Sequence, residues 1–360
     1  MASQVHVTKG SIGDAALVKV DQGALADNAV RLEIESFSVT ANNVTYAVVG
    51  DGFGYWNFFP APDGQGIVPM WGHAKVVESN HSDFAIGERV YGYLPMATHL
   101  DVLPGKVSAG GFADMAKHRQ PMSPIYNQYS RLAADPEHDP AREGERMIFG
   151  PLFKTGFLIE YFMRGQDWFG AQSCILTSAS SKTAMGLASV MKHRSPGVRR
   201  IGLTSAGNVD FVRATGLYDD VMAYDAVAGL AQVPSVSVDF AGNAKVLGAI
   251  HHHLQDSLRY SCLVGATHIE ERGAGMGGGA DLPGPAPTLF FAPDHAVALF
   301  KELGPEGAGK QLAQSWHAFL GDAGDTVTIE RQQGLDAARA VFVEMVGGKV
   351  DPAKGIVIEP

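Results

Sequence analysis

The stretch Ser173–Val190 is the feature that most constrains what this chain can fold into. An apolar run, Cys174–Leu176, breaks into small and polar residues, after which apolar residues recur with the spacing of a helix. This order is typical of a β-strand, a tight turn and an α-helix, which together open a βαβ unit. The small residues Ser178, Ser181 and Ala184 have the spacing of a dinucleotide-binding fingerprint, with serine where glycine is usual.

A turn of this kind brings backbone N–H groups to the start of a helix, where the helix dipole favours an anionic group such as a pyrophosphate. The candidate cofactor-binding residues of this turn are Ser178, Ser180, Ser181, Lys182 and Thr183. A P-loop is excluded, because Leu176 stands where that motif requires a glycine. The alternative is an ordinary strand–helix turn that binds no nucleotide.

A second short strand is predicted at Arg199–Ser205, about two dozen residues further on, as the crossover of a βαβ unit requires. In an NAD-binding unit this strand ends in Asp or Glu, which binds the ribose 2′-hydroxyl. Here no carboxylate occurs until Asp210. A site with hydroxyl, amide and guanidinium groups suits a 2′-phosphate, so NADP(H) is favoured over NAD(H). The candidate residues are Thr204, Ser205, Asn208 and Arg213, with Arg200 as a second guanidinium.

Composition excludes several classes of protein. The chain has 360 residues, which suits two domains, and its formal net charge of −10 argues against nucleic acid and anionic membranes as partners. No apolar run reaches the roughly 18 residues of a membrane span and no secretory signal is recognised, so we expect a cytoplasmic protein with a small-molecule substrate. Cys174 and Cys262 fall in expected strands and are interpreted as core residues, not as a disulfide or a metal pair.

The order of predicted elements separates two regions. The first ~120 residues are expected to be all-β, because short alternating strands recur between frequent turn signals. A long apolar helix is predicted over Phe149–Arg164, and after it strands alternate with helices, as in a parallel sheet. The closing stretch Gly355–Ile358 is predicted to return to the first domain as a strand.

Five short motifs occur along the predicted strands and the turns that follow them. They are Pro69-Met70-Trp71-Gly72-His73, Gly87-Glu88-Arg89-Val90, Gly111-Phe112-Ala113-Asp114, Phe240-Ala241-Gly242-Asn243 and Val264-Gly265-Ala266-Thr267-His268. With them the chain resembles the medium-chain dehydrogenase/reductase superfamily, in its zinc-independent quinone oxidoreductase and enoyl reductase branch, close to the DUF2855-type subgroup. The resemblance implies an α/β fold: a GroES-like β-barrel over residues 1–148, to which residues 321–360 return, and a Rossmann domain with a doubly wound parallel sheet over residues 149–320. It also implies a homodimer formed through the Rossmann edge.

The resemblance further implies where a catalytic zinc ion would be bound. In the zinc alcohol dehydrogenases of the superfamily, the ligand positions match Ala41, His73 and Pro151 of this chain. Only His73 can bind zinc, whereas a catalytic site needs three protein ligands, so no metal is expected. The structural zinc lobe is missing too, because residues 95–115 contain no cysteine. The run His251–His253 is interpreted as a solvated helix surface, because consecutive helical residues point in different directions.

The resemblance places the Ala41–Asn43 turn beside the nicotinamide, so Asn42, Asn43 and Tyr46 are the candidate catalytic residues. The amides can donate hydrogen bonds to a carbonyl or enolate oxygen, and Tyr46 can supply a proton. The alternative is that the asparagines cap a helix that begins at Val44 and that Tyr46 only packs.

Other site residues are expected on both domains. The candidate substrate-binding residues are Tyr55 and Trp56, as an apolar wall, and His73, as a buried and hydrogen-bonded histidine. The resemblance adds cofactor-side residues at the ends of later strands, which are Gly242, Gly265, Thr267 and His268.

We therefore expect an NADPH-dependent, zinc-independent oxidoreductase that reduces an activated C=C or C=O bond of a small apolar, aromatic or acyl substrate by hydride transfer. Two other interpretations stay open. One is a non-redox enzyme or sensor that keeps NADP as a ligand, and the other is an interaction module that has lost cofactor binding. Serine in place of the fingerprint glycines keeps both open, because side chains there crowd a pyrophosphate.

Overall fold

Two compact units divide the chain, and the computed structural model describes residues 2–264, 282–348 and 351–360 of it. The first unit comprises Met1–Ile148 with Thr328–Pro360, and the second comprises Phe149–Val327. Within the described residues, no helix combines the length and the apolar character that crossing a membrane requires.

The first unit is built mainly from antiparallel strands. These are β1 (Ala2–Thr8), β2 (Ser11–Val20), β3 (Val30–Val39), β4 (Gln65–Gly66), β5 (Pro69–Ser79), β6 (Arg89–Pro95), β7 (His99–Val102), β8 (Pro104–Gly105), β9 (Gly111–Asp114), β10 (Gln128–Arg131), β17 (Thr328–Gln333) and β18 (Lys354–Glu359). One sheet has the order β2-β1-β4, and the other has the order β17-β18-β3-β5-β6-β10-β9-β8, with β7 also paired to β3. This architecture confirms the expected GroES-like fold.

Two helices accompany these strands, α1 (Ala41–Val48) and α7 (Leu335–Val346). Helix α7 joins β17 to β18, and these two strands pair in parallel because a crossover helix lies between them. Strand β18 also pairs with β3, with Ile358 opposite Phe37, so the end of the chain is a strand of the first unit.

Strand β5 shows how alternation sorts side chains onto the two faces of the larger sheet. Met70 and Ala74 are fully buried in the apolar core of the unit. Trp71 and His73 alternate with them and therefore point to the opposite face. The register of β5 and β6 places Tyr91 beside His73 on that face. The opposite face thus carries aromatic and polar side chains.

The second unit contains a six-stranded parallel sheet. Its strands are β11 (Ser173–Leu176), β12 (Arg199–Thr204), β13 (Asp220–Ala223), β14 (Ser235–Asp239), β15 (Leu258–Leu263) and β16 (Thr288–Leu289). Its helices are α3 (Lys182–Arg194), α4 (Val209–Ala214), α5 (Ala244–Leu254) and α6 (Ala292–Ala323), while α2 (Glu143–Gly165) contains the boundary between the units.

The strand order of this sheet is β13-β12-β11-β14-β15-β16, and neighbouring strands are parallel. This is the order of a Rossmann fold, in which the chain runs outward from the central strand in both directions. Strand β11 is buried at every residue, which is why its sequence is a continuous apolar run. The expected doubly wound sheet is confirmed.

Two sequence-based expectations need correction here. Helix α2 begins at Glu143 and not at Phe149, because Glu143 and Glu145 lie in its first turn, where the helix dipole favours carboxylates. The run of histidines is not wholly solvated. His251 is fully buried, with its ring nitrogens 2.9 Å from Pro283 O and 2.9 Å from Ser261 Oγ, so a polar residue of β15 provides a partner for a polar residue of α5.

The first unit also contains a fully buried ion pair. Arg119 donates hydrogen bonds to Asp114 Oδ2 at 2.8 Å, to Tyr129 Oη at 2.9 Å and to the Tyr126 carbonyl oxygen at 2.7 Å. The side chains of Arg119 and Asp114 are 0% and 1% exposed, so neither charge has water as an alternative partner. Arg119 thereby fixes the irregular segment that contains Tyr126.

We predict that Arg119→Met lowers the free energy of unfolding by about 3–5 kcal/mol, because the Asp114 carboxylate is left buried without its counter-charge. Urea unfolding followed by circular dichroism measures this loss. The matched control is Arg339→Met, which removes a largely exposed pair with Asp336 and should cost under about 1 kcal/mol. Equal losses in the two variants would contradict the assignment.

Candidate active site

The side chain of Asn43 caps the start of helix α1. The helix begins at Ala41, not at Val44, with Thr40 as its N-cap. Asn43 Oδ1 accepts the Thr40 N–H at 2.6 Å, and its Nδ2 donates to the Pro69 carbonyl oxygen at 2.8 Å. This is a capping box with Asn where Glu or Gln is usual. The amide of Asn43 is buried and used within the protein, so the structural interpretation of this residue is the one that the geometry favours.

The Tyr46 hydroxyl has a different environment. Its oxygen accepts hydrogen bonds from Asn42 Nδ2 at 2.6 Å and from Trp71 Nε1 at 3.1 Å. Amide NH₂ and indole N–H groups only donate, so neither of them takes the hydroxyl proton of Tyr46. Burial raises the pKa of Tyr46 well above its ordinary value, although the hydrogen bonds from Trp71 and Asn42 act in the other direction. Tyr46 therefore keeps its proton at physiological pH.

Tyr46 belongs to an aromatic cluster on the first unit. Its ring lies 4.6 Å from the ring of Tyr55 and 5.5 Å from that of Tyr93, and Tyr55 Oη lies 3.0 Å from Tyr126 Oη. We use the name aromatic cluster for Tyr46, Tyr55, Trp71, Tyr91, Tyr93 and Tyr126. Sequence reasoning found the first two of these residues and missed Trp71 and Tyr126 as partners, because long-range packing brings them together.

Trp56 is a core residue and not part of this cluster. It is 6% exposed, and its indole fills a slot between two glycines. A Cβ at Gly50 would lie 2.2 Å from Trp56 Nε1, and one at Gly66 would lie 2.3 Å from Trp56 Cε3. The expectation that Trp56 lines a substrate wall is therefore corrected, since its ring is consumed by this packing.

His73 is buried as expected, but it is not hydrogen-bonded. It is 0% exposed, and within the described residues neither ring nitrogen has a hydrogen-bond partner. Its ring packs 5.1 Å from that of Tyr91. Burial lowers the pKa of His73 to about 3, so the imidazole is neutral at physiological pH. In the part of the chain that the structure describes, no set of three or more His, Cys, Asp and Glu side chains is arranged to hold a metal ion.

In the second unit, the residues after β11 form what we call the serine turn, residues 178–181. Ser178 has a φ of +48° and donates its N–H to Tyr224 Oη at 3.0 Å. Ser180 Oγ accepts a hydrogen bond from Asn208 Nδ2 at 3.2 Å. Ser181 is the N-cap of α3, and its Oγ accepts the N–H of the third residue beyond it at 3.3 Å. The fold thus brings together three of the predicted cofactor-binding residues, Ser178, Ser180 and Asn208.

The start of α3 has N–H groups that remain available to a ligand. Within the described residues, the backbone N–H groups of Ser180 and Thr183 donate to no protein acceptor. Both lie at the positive end of the helix dipole, with Lys182 between them. This arrangement fits an anionic group such as a pyrophosphate.

The two candidate arginines, Arg200 and Arg213, differ in their contacts. Arg200 is held by Asp219, with contacts of 3.0 Å and 2.7 Å, and is therefore occupied. Arg213 is 61% exposed and lies 3.6 Å from the fully exposed carboxylate of Asp210. Ser205 is exposed, whereas Thr204 is buried at the end of the strand and has its side chain away from solvent.

A buried carboxylate lies where β14 ends. Asp239 Oδ1 accepts the Thr177 hydroxyl at 2.6 Å, and its carboxylate also accepts the N–H groups of Ala241 and Gly242. Gly242 has a φ of +66°, and its N–H is used by Asp239, so the turn after β14 is fixed from within. Because β11 and β14 flank the point where strand order reverses, this hydrogen bond links the two turns on either side of it.

Three residues predicted to face the cofactor lie outside the described residues. They are Gly265, Thr267 and His268.

Sequence reasoning missed Thr177, Asp239 and Tyr224. Their signal is a polar residue at or directly after the end of a short buried or half-buried strand, which is where side chains of a parallel sheet gather.

Comparison with known proteins gives a family and a fold. A family model described as "Protein of unknown function (DUF2855)" matches residues 37–351. A comparison with curated proteins gives no match.

Solved structures resemble the whole chain. A quinone oxidoreductase of Pseudomonas syringae pv. Tomato is 16% identical, with a TM-score of 0.59 and 100% of both chains covered. CurA of Vibrio vulnificus, crystallised with NADPH, is 16% identical, with a TM-score of 0.59, 99% of this chain and 98% of that chain covered. The yhdH oxidoreductase of Salmonella enterica, crystallised with NADP, is 12% identical, with a TM-score of 0.55 and 100% of both chains covered. At these identities the likeness shows a shared fold.

The buried neutral state of His73 makes stability depend on pH. Below about pH 6.5 the unfolded chain takes up a proton at His73, and the folded chain does not, so acidification favours unfolding. We predict that between about pH 6.5 and about pH 5 the wild type loses about 1.6 kcal/mol more unfolding free energy than His73→Met. Urea titrations at the two pH values measure this difference. The exposed His252→Met is the control, and a His73→Met variant with the wild-type pH dependence would contradict the assignment.

Proposed function

The chain belongs to the DUF2855 family, and from its fold and the geometry above we propose that it is an NADP(H)-dependent, zinc-independent oxidoreductase that reduces an activated C=C or C=O bond of a small substrate. The observation that carries this proposal is the serine turn, at the switch point of a Rossmann sheet, with unused N–H groups at the start of α3. NADPH or NADP is bound in two proteins of similar fold, which supports the choice of cofactor.

The second unit offers groups for each part of the cofactor. The N–H groups of Ser180 and Thr183 would hold the pyrophosphate, with Lys182 as a neighbouring cation. Ser205 and Arg213 would hold the 2′-phosphate, because both are exposed and no carboxylate precedes Asp210 after β12. Bound NADPH would supply the hydride.

The first unit offers a proton donor. Tyr46 keeps its proton, and its oxygen already accepts two hydrogen bonds, from Asn42 and Trp71. When Tyr46 donates its proton to a carbonyl or enolate oxygen, these two hydrogen bonds stabilise the phenolate that forms. We assign Tyr46 as the acid, Asn42 as the group that stabilises its conjugate base, and Asn43 as a structural residue.

The aromatic cluster supports the proposed class of substrate. Trp71 and Tyr91 are stacked with ring centroids 5.9 Å apart, and Tyr55 and Tyr126 lie beside Tyr46. Flat rings around the proposed proton donor favour a small apolar, aromatic or acyl compound with a polar reacting group.

A second candidate function has one observation in its favour. The N–H of Ser178 is bound by Tyr224 and that of Gly242 by Asp239, so part of the backbone that could face a cofactor is satisfied by the protein. A chain that has lost cofactor binding and acts as an interaction module would show the same contacts. Absence of NADP(H) binding would favour this candidate.

We propose a homodimer formed through the edge strand β16. Leu289, Phe291, Val297 and Phe300 at the edge and in the first turns of α6 are 37–55% exposed, which is unusual for large apolar side chains so close together. Light scattering should give a molar mass twice that of one chain for the wild type. The Phe300→Lys variant should have the molar mass of a single chain. The control is Ile86→Lys, at an exposed apolar residue of the first unit, and a monomeric wild type would refute the proposal.

Arg213→Ala should weaken NADPH binding by about 5- to 20-fold and leave NADH binding unchanged, because it removes one charge-assisted hydrogen bond to the 2′-phosphate. Fluorescence titration of each variant with both cofactors measures this. Arg199→Ala is the matched control, since that arginine is exposed and paired with Asp220. An equal effect on NADPH and NADH would show that Arg213 does not bind the phosphate.

Tyr46→Phe should lower kcat by about 10²- to 10⁴-fold and leave the Kd of NADPH unchanged, because it removes the proton but keeps the ring. Steady-state assays with NADPH and a small enone such as cyclohex-2-enone measure the effect. Asn42→Ala, which keeps the proton donor, should lower kcat less. If Tyr46→Phe turns over at the wild-type rate, Tyr46 is not the acid.

A further inference from the structure

Ser178 has a backbone conformation that serine rarely adopts. Its φ of +48° lies in the left-handed region, where the Cβ of an L-residue crowds the backbone. In a dinucleotide-binding turn, glycine usually provides this freedom. Something other than the preference of Ser178 itself must therefore hold the turn in this conformation.

Tyr224 provides a contact that does so. Its hydroxyl oxygen accepts the Ser178 N–H at 3.0 Å, and Tyr224 directly follows β13, which is two strands away from β11 in the sheet. Because the three strands are parallel, their carboxyl ends lie at one edge, and a tyrosine side chain is long enough to reach across the end of β12.

Two further side chains brace the same turn. Tyr218 Oη donates to the Ala179 carbonyl oxygen at 2.8 Å, and Asn208 Nδ2 donates to Ser180 Oγ at 3.2 Å. Gly202 in β12 leaves room for this packing, since a Cβ there would lie 3.0 Å from Ala179 Cβ and 3.0 Å from the Tyr218 ring. Side chains that follow β12 or flank β13 thus contact three consecutive residues of the serine turn, residues 178–180.

We propose that Tyr224 is a positioning residue, which holds Ser178 in the left-handed conformation and so replaces the fingerprint glycine as the means of shaping the cofactor turn. Tyr218 and Asn208 complete the brace. The effect on cofactor affinity rests on the proposed function, whereas the effect on the turn itself does not.

A double-mutant cycle of Tyr224→Phe and Ser178→Gly tests this proposal. In the wild-type background, Tyr224→Phe should lower the Tm of the cofactor-free protein by about 2–4 °C and raise the Kd of NADPH by about 3- to 10-fold, because one hydrogen bond is lost and the turn relaxes. In the Ser178→Gly background the backbone N–H of residue 178 still donates to Tyr224, so a smaller loss of Tm should remain. The change in Kd should fall below about twofold, because glycine adopts the turn conformation unaided.

The other outcomes overturn the proposal. An equal loss of NADPH affinity in both backgrounds would make Tyr224 a direct ligand of the cofactor and not a positioning residue. An unchanged Tm in the wild-type background would show that Tyr224 does not hold Ser178. If the wild type binds no NADPH, the proposed function fails, and the Tm values of the four proteins alone decide the role of Tyr224.

Discussion

The parallel pairing of β11 with both β12 and β14 is the constraint on which the second unit depends. The chain leaves β11 toward β12 on one side and returns to β14 on the other, so the turns at the carboxyl ends of these strands diverge. The hydrogen bond between Thr177 and Asp239 links these turns. The start of α3 follows the first of them, and there, within the described residues, the N–H groups of Ser180 and Thr183 donate to no protein acceptor. The sheet order thus creates the position at which we propose that an anionic group binds, and local contacts shape it.

The first unit depends on the alternation of side chains along its larger sheet. The alternation along β5 sends Met70 into the core and Trp71 to the other face, where the indole N–H meets the Tyr46 hydroxyl. Arg119 fixes the segment that presents Tyr126 to the same cluster. Asn42 and Trp71 donate to the Tyr46 oxygen and cannot accept its proton, which is why we propose Tyr46 as the acid.

Much of the fold was predictable from the sequence, since buried parallel strands are short apolar runs and since serine at fingerprint spacing still marks a strand–turn–helix unit. The start of α1 was misplaced because Thr40 and Asn43 form a capping box with an unusual third residue. Residues such as Tyr224 and Asp239 could not be assigned, because their partners are far away in the sequence and only the sheet order brings them together. The burial of His251 was missed for the same reason. Its partner Ser261 lies on another element, β15, and the sequence around His251 gives no sign of that contact.

The most direct test of the account is a calorimetric titration of the purified wild-type protein with NADPH and then with NADH. We propose that cofactor selectivity depends on the end of β12, where Ser205 and Arg213 are exposed and no carboxylate precedes Asp210. We expect NADPH to bind and NADH to bind at least about tenfold more weakly, which corresponds to about 1.4 kcal/mol. Binding of neither cofactor, or equal binding of both, would contradict it.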